Sequence, residues 1–206
     1  PHDWGIEGPF MQELAGSTGK LPWAGTGWYR KKFTLPAGDG GRRIYLEFDG
    51  AMSYALVWCN GQLAGGWAYG YSSWRVDLTP FVKPGAENSL AVRLSPPRES
   101  SRWYPGAGIY RNVWLTKTAD VAVAHWGVFV TTPQVGADSA LVNVGITFDN
   151  KSTADAAVQA SVRLFAADAA GNATGEPVAL SEPQAITVPA GKQGHAAHTL
   201  TIRAPK

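Results

Sequence analysis

Residues 54–66 read YALVWCNGQLAGG. An apolar run ends on Asn60-Gly61, the pair that most strongly signals a two-residue hairpin, because both central positions of that turn need positive φ. The stretch therefore predicts a strand, a tight turn and a returning strand. The segments on either side repeat the theme. In RIYLEFDG, Ile44, Leu46 and Phe48 alternate with Tyr45, Glu47 and Asp49, the period of two expected of a half-buried strand. SSWRVDLTPF places Trp74, Val76 and Leu78 on one face, and NSLAVRL does the same with Leu90, Val92 and Leu94. IYRNVWL alternates Ile109, Val113 and Leu115 against Tyr110 and Trp114, which predicts a strand over its whole length.

The pattern continues to the end of the chain. ALVNVGITF aligns Val142, Val144, Ile146 and Phe148, VQASVRLFA aligns Val158, Ala160, Val162 and Leu164, and TLTIR carries Leu200 and Ile202. No segment holds a helical stripe; AADAAGNATG is rich in Ala but broken by Gly. Short strands separated by Gly, Pro, Asp and Asn clusters predict an all-β fold of sandwiches or jelly rolls.

Aromatic residues divide the chain. Eight of nine Trp and all seven Tyr precede residue 119, after which Ala, Val and Thr dominate. The change falls in TKTADVAV, which predicts one domain over 1–118 and a second over 119–206. The second half is expected to form an immunoglobulin-like sandwich of about seven strands, short of its last one. A net charge of +2, with Lys and Arg scattered, argues against nucleic acid or a membrane surface as partner. No apolar run approaches the ~18 residues of a membrane-spanning helix. Cys59 is the single cysteine, so neither an internal disulfide nor a cysteine-based metal site is expected. The chain opens directly on PHDWGIEG, without a leader or an initiating Met, and reads as a mature product or an excised piece.

PHDWGIEGPF, GWYRKKFTLP, LEFDGAMSYALVWCNGQLAG, YGYSSWRVDLTPFVKPGAENSLAVRL and SRWYPGAGIYRNVWL follow one another in this order. Together they resemble the amino-terminal sugar-binding jelly roll of family 2 glycoside hydrolases, the β-galactosidase, β-glucuronidase and β-mannosidase group. Residues 119–206 resemble the family's next domain, an immunoglobulin-like sandwich, by position and strand pattern. The resemblance implies that the chemistry belongs to a TIM barrel following these two domains, where two glutamates cleave terminal β-linked sugars with retention. Retention needs carboxyls about 5–5.5 Å apart. The sixteen acidic residues here are dispersed, and none stands in the family's catalytic motifs. The expectation is a non-catalytic piece, truncated at both ends, of a β-galactosidase-like enzyme, inactive alone. It would need no cofactor and no metal, and its partners would be carbohydrate and the barrel of its own parent chain. The compartment is left open among periplasm, exterior and cytoplasm.

The resemblance also names contact residues. Asp3, in P-H-D-W, matches the position whose side chain reaches hydroxyls of the sugar at the barrel mouth; a carboxylate accepts two such bonds at once. Asp3 would otherwise cap a turn beside Trp4. Arg102 stands six residues before Gly108, where several relatives carry an Asp that touches substrate or a bound cation. A guanidinium donates and cannot ligate a cation, so no sodium site carries over. Arg102 is expected to donate either to sugar hydroxyls or to an acidic group of the barrel. Trp103, and less so Tyr104, suit stacking on the apolar C–H face of a pyranose, and equally suit packing against the barrel.

The cluster WAYGYSSW, Trp67 to Trp74, fits either a carbohydrate platform or jelly-roll packing, with packing preferred. Arg111 and Asn112 are expected to be structural within their strand, and Asp49-Gly50 and Asn60-Gly61 to be turns. The N-x-S/T triplets at Asn150 and Asn172 mark surface loops. His195 and His198, three apart in a strand, point to opposite faces and do not suggest a metal pair. The competing reading is a free-standing carbohydrate-binding module or surface lectin. A purely structural adhesion domain is a weaker third, since a jelly roll by itself does not decide function.

Overall fold

The computed structural model describes residues 25–97 and 107–205. The described residues up to Thr118 form one compact unit and those from Ala119 a second. Both are built from antiparallel strands. Among the described residues the only helical element is one 3-10 turn at Ala37–Asp39.

The first unit stacks two sheets. One has the order β1-β6-β3-β4, from β1 (Gly27–Thr34), β6 (Glu87–Leu94), β3 (Ala55–Cys59) and β4 (Gln62–Trp67). The other runs β5-β2-β7, from β5 (Trp74–Asp77), β2 (Arg43–Phe48) and β7 (Val113–Thr118). Alternation decides which side chains meet between them. Ile44, Leu46, Phe48, Trp74, Val76 and Leu78 from one layer enclose a core with Ala55, Val57, Cys59, Val92 and Leu94 from the other. Phe48 and Trp74 stack at 4.1 Å between ring centroids, 10° from parallel, a geometry worth ~1 kcal/mol beyond the area it buries. Burial pushes the Cys59 thiol up from its ordinary value, which holds it protonated and unreactive.

The hairpin over 54–66 forms as its sequence predicts. Asn60 and Gly61 both have positive φ, at 50° and 81°. Asn60 also ties the turn to the rest of the unit. Its Nδ2 donates to the Phe81 carbonyl at 2.9 Å and to Asn88 Oδ1 at 2.8 Å, while the Ser89 N–H donates to its Oδ1 at 2.9 Å. Asn88 is buried and fully bonded. Its Oδ1 accepts from the Lys83 N–H at 2.7 Å, and its Nδ2 donates to the carbonyls of Lys83 and Ala86, both at 3.0 Å.

One strand is shorter than its alternation predicts. Within IYRNVWL, regular pairing begins only at Val113, and residues 109–112 run as irregular chain. Ile109 still enters the core, but Val113 and Leu115 are part-exposed because β7 is the edge of its sheet. Arg111 and Asn112 are therefore not strand residues. Asn112 contributes its carbonyl, which accepts from the Asp49 N–H at 3.0 Å.

The second unit contains seven strands among the described residues. A sheet ordered β14-β9-β8 joins β14 (Gln193–Arg203), β9 (Ser139–Asn150) and β8 (Val121–Val135). Two shorter ladders pair β10 (Ala156–Ala160) with β13 (Gln184–Val188), and β11 (Arg163–Ala167) with β12 (Ala173–Leu180). All these pairings are antiparallel, as in an immunoglobulin-like sandwich. VQASVRLFA divides into β10 and β11, with the Val162 N–H at the break donating to Ser181 Oγ at 2.8 Å. Asn150 is fully buried rather than a surface marker. Its Nδ2 donates to the carbonyls of Ala154 and Val188, and its Oδ1 accepts from the N–H and hydroxyl of Ser152. Asn172 is exposed in the β11–β12 turn, and its amide groups hold the Asp168 carboxyl below the usual carboxylate range.

The pairing of β8 with β9 jumps between Val123 and Val128. Inside this bulge Trp126 has φ 52° and is 74% exposed, stacked on His125 at 4.4 Å. Gly127 is required there, because a Cβ would stand 2.6 Å from the Thr147 carbonyl oxygen and 2.7 Å from that of Ala124.

Two stability predictions follow from these contacts. Asn88→Ala should destabilise the first unit by about 2 kcal/mol, since it leaves two part-buried carbonyls and two donors without their partner; urea unfolding followed by Trp fluorescence measures this. Gly127→Ala should cost the second unit about 2 kcal/mol through a backbone clash, read as a lowered unfolding midpoint by circular dichroism with the Trp fluorescence transition of the first unit unmoved.

Candidate functional site

Asp3, Arg102 and Trp103, the contact residues implied by the family resemblance, lie outside the described residues, as does Tyr104. The structure does describe the chain on both sides of the segment 98–106. Its two flanks are held by the same pair of neighbours. On the incoming side the Ser95 N–H donates to the Ser53 carbonyl at 2.9 Å, and the Ser95 hydroxyl meets Thr26 Oγ1 at 2.9 Å. On the outgoing side Met52 and Gly108 exchange two backbone bonds, of 2.9 and 3.0 Å. Met52-Ser53 thus bonds the described residues on both sides of 98–106.

Further bonds brace the outgoing flank. The Ile109 N–H donates to the Tyr29 hydroxyl at 3.1 Å, which links it to β1. The Tyr110 hydroxyl donates to the Gly70 carbonyl at 2.8 Å, which links it to the aromatic segment 67–74. Burial pushes the Tyr110 phenol above its ordinary value, so it remains a donor throughout the neutral range. Gly70 lies tight on Met52: a Cβ there would sit 2.2 Å from the Met52 sulfur.

The segment WAYGYSSW serves two purposes. Trp74 is core, stacked on Phe48. Trp67, Tyr69 and Tyr71 stand outside it, 48%, 61% and 50% exposed, with Tyr69 and Tyr71 edge to face at 5.7 Å. Trp67 is steadied by its indole N–H, which donates to Ser72 Oγ at 2.9 Å. Tyr54, whose N–H donates to the Ala68 carbonyl at 3.0 Å, adds another exposed ring beside Ser53. Exposed aromatic rings of this kind are the residue type that stacks on a sugar ring. Alternation alone could have separated Trp74 from Trp67, since Trp74 shares its parity with Val76 and Leu78. Nothing in the sequence signals that Met52 meets Gly108 or that Tyr110 meets Gly70, because both contacts join segments distant along the chain.

His195 and His198 occupy opposite faces of β14, the first exposed and bonded to Thr147 Oγ1 at 3.1 Å, the second buried. Among the described residues no group of three or more His, Cys, Asp or Glu is placed to hold a metal ion, and no helix is long and apolar enough to cross a membrane.

Comparison with known proteins agrees with this architecture. The family description "Glycosyl hydrolase 2 galactose-binding domain-like" matches residues 6–106. The β-galactosidase BoGH2A of Bacteroides ovatus is 41% identical over 209 residues, covering all of this chain and 24% of that protein. A putative β-glucuronidase of Formosa agariphila is 34% identical over 146 residues, 70% of this chain and 14% of that protein. Among solved structures, a glycosyl hydrolase family 2 member from Bacteroides cellulosilyticus superposes with a TM-score of 0.86 at 34% identity, covering all of this chain and 27% of that one. The chain spans about a quarter of the length of the first of these relatives. By motif order, by family match and by fold, the chain belongs to glycoside hydrolase family 2 and carries that family's galactose-binding-like domain.

Proposed function

We propose that the chain is the non-catalytic amino-terminal part of a retaining β-galactosidase. In this reading residues 1–118 are its sugar-binding jelly roll and 119–206 its immunoglobulin-like sandwich. Together they buttress a catalytic barrel of the same polypeptide and form one wall of its pocket. The observation that carries the reading is the bracing of the described residues on either side of 98–106: Met52-Ser53 bonds both Ser95 and Gly108. Flanks so held fix where the chain leaves and rejoins the fold, which suits contact with a single terminal sugar.

In this proposal each residue does a simple task. The Asp3 carboxylate accepts bonds from two sugar hydroxyls, Trp103 stacks on the C–H face of the ring, and Arg102 donates to a hydroxyl or to an acidic group of the barrel. Cleavage belongs to the paired carboxylates of the barrel, one protonating the leaving oxygen and the other attacking the anomeric carbon. The chain alone should then be inactive. β-Galactosidase is preferred to β-glucuronidase because a relative 41% identical over the whole chain carries the former name. β-Glucuronidase names recur among shorter matches and among solved structures that cover the whole chain at 26% identity.

Three measurements bear on this. The reading frame should continue past Lys206 into about 250 or more residues of alternating strand and helix; a stop codon within a few residues would sink the proposal in favour of a lectin-like module. In the complete enzyme, Asp3→Ala should lower kcat/KM for an aryl β-galactoside at least tenfold, about 1.4 kcal/mol of transition-state binding, and an unchanged value would remove Asp3 from the site. Aryl β-glucuronide should be turned over far more slowly than aryl β-galactoside, and the reverse order would replace the galactosidase assignment.

A further inference from the structure

The outer face of the sheet β1-β6-β3-β4 has an arrangement that the terminal-sugar pocket does not call for. Register sets it out in rows. Trp28 lies opposite Arg93, and Arg93 opposite Leu56. In the next row Arg30 lies opposite Ala91, and Ala91 opposite Trp58. Ala91 is small, so the two indoles lean together above it, with centroids 5.2 Å apart and planes tilted by 35°. Each indole also carries a guanidinium: Arg30 Cζ is 5.1 Å from the Trp28 ring and Arg93 Cζ is 6.0 Å from that of Trp58. Stacking uses the guanidinium face, which has no donors, and leaves the N–H groups around its edge to bond something else.

No acid answers these two cations among the described residues. Glu87, the acidic residue of β6, is bonded to Lys32 at 2.9 Å. Arg93 Nε is buried with no acceptor in reach. A groove of about 450 Å³ lined by Trp28, Arg30, Lys32, Trp58 and Ser89 occupies one part of the face. A second, of about 540 Å³, is lined by Tyr54, Leu56, Trp67, Tyr69 and Arg93. Trp58 and Arg93, in cation–π contact, stand where the two adjoin.

We propose that this sheet face binds an extended glycan chain bearing anionic groups, with sugar rings stacked on the Trp28–Trp58 pair and, in the second groove, on Tyr54 and Tyr69, and with carboxylate or sulfate groups held by Arg30 and Arg93. The chemistry selects this occupant. Flat apolar rings suit the C–H faces of pyranoses. Guanidinium edges suit oxyanions and gain nothing from a neutral sugar beyond single hydroxyl bonds. A second copy of the chain would set these arginines against themselves across a twofold axis. A nucleic acid strand would need several unpaired cations along its backbone; here Lys32 is bonded to Glu87, and Arg30 and Arg93 each lie on an indole. The proposal is independent of which sugar the parent enzyme removes.

The 206-residue chain is titrated with hexagalacturonate, a sulfated galactan hexamer, a neutral galactan hexamer and a thymidine hexanucleotide, with indole N–H signals followed by NMR. The expected result is sub-millimolar binding of at least one anionic glycan, weakened severalfold between about 20 and 200 mM salt, with the neutral hexamer at least tenfold weaker. Whichever anionic glycan binds identifies the preferred group. The double substitution Arg30→Gln, Arg93→Gln should remove the preference for charge, and Trp28→Ala, at an edge-strand position, should weaken all glycan binding at least fivefold while far-UV circular dichroism stays that of the parent. Four outcomes would overturn the proposal: no anionic glycan binding at 10 mM (~) ligand, equal binding of the neutral hexamer, equal or tighter binding of the hexanucleotide, or a double variant that binds like the parent. A concentration-dependent dimer that Trp28→Ala dissociates would assign the face to a second copy and overturn it as well.

Discussion

The bond between the side chains of Asn60 and Asn88 determines more of the first unit than any other polar contact. It joins the turn of one hairpin to the start of β6 and, through the Phe81 and Lys83 backbone, to the turn after β5. A strand that slips by one residue exchanges its two faces. The Asn60–Asn88 pair forbids that slip for β3 against β6. Val57 and Cys59 are thereby committed to the core, and Leu56 and Trp58 to the opposite face. The same register sets Arg93 across from Leu56 and Ala91 across from Trp58. The core and the aromatic outer face are consequences of one constraint. Both amides are satisfied within the protein, so their burial carries no desolvation penalty left unmet.

That register also braces the described residues on either side of 98–106. Ser95 follows directly after β6, and its N–H bonds the Ser53 carbonyl just before β3. Met52, next to Ser53, bonds Gly108 on the far side of the loop. Two adjacent residues ahead of one strand thus hold both Ser95 and Gly108. Tyr29 and Tyr110 add bonds from two directions. Loops that carry binding residues work best on a rigid scaffold. Here the scaffold is local, made of five hydrogen bonds between residues far apart in sequence.

What the sequence discloses about this molecule follows from what period two can encode. Ile44, Leu46, Phe48, Trp74, Val76 and Leu78 declare their shared face because alternation is a property of the strand itself. Asn60-Gly61 declares a turn because positive φ is a local need. Alternation fails where tertiary contact takes over. IYRNVWL alternates throughout, yet its first four residues leave the ladder, because Ile109 is drawn to Tyr29 and Tyr110 to Gly70. Asn150 has the composition of a surface sequon and the environment of a core residue, since four partners satisfy its amide. No triplet pattern can report partners supplied by Ala154 and Val188. The contact residues Asp3, Arg102 and Trp103 came from motif order alone, and their positions lie outside the described residues.

The exposed aromatics show how one period can have two readings. In GWYRKKF, Trp28, Arg30 and Lys32 share the polar parity, while Tyr29 and Phe33 take the core. A tryptophan on a polar parity is conspicuous, because burial of so large an apolar surface would be worth a few kcal/mol. Leaving it 45% exposed forgoes part of that gain. Trp58 repeats the choice on β3, and Arg93 and Arg30 then cover the two rings with cations rather than with aliphatic side chains. Leu or Val at these positions would have matched the β propensity without any cation to hold. The selection of Trp together with Arg makes a surface that is apolar in area and positive in charge. Such a surface offers flat rings and guanidinium edges to a ligand that has both an apolar face and an anionic group.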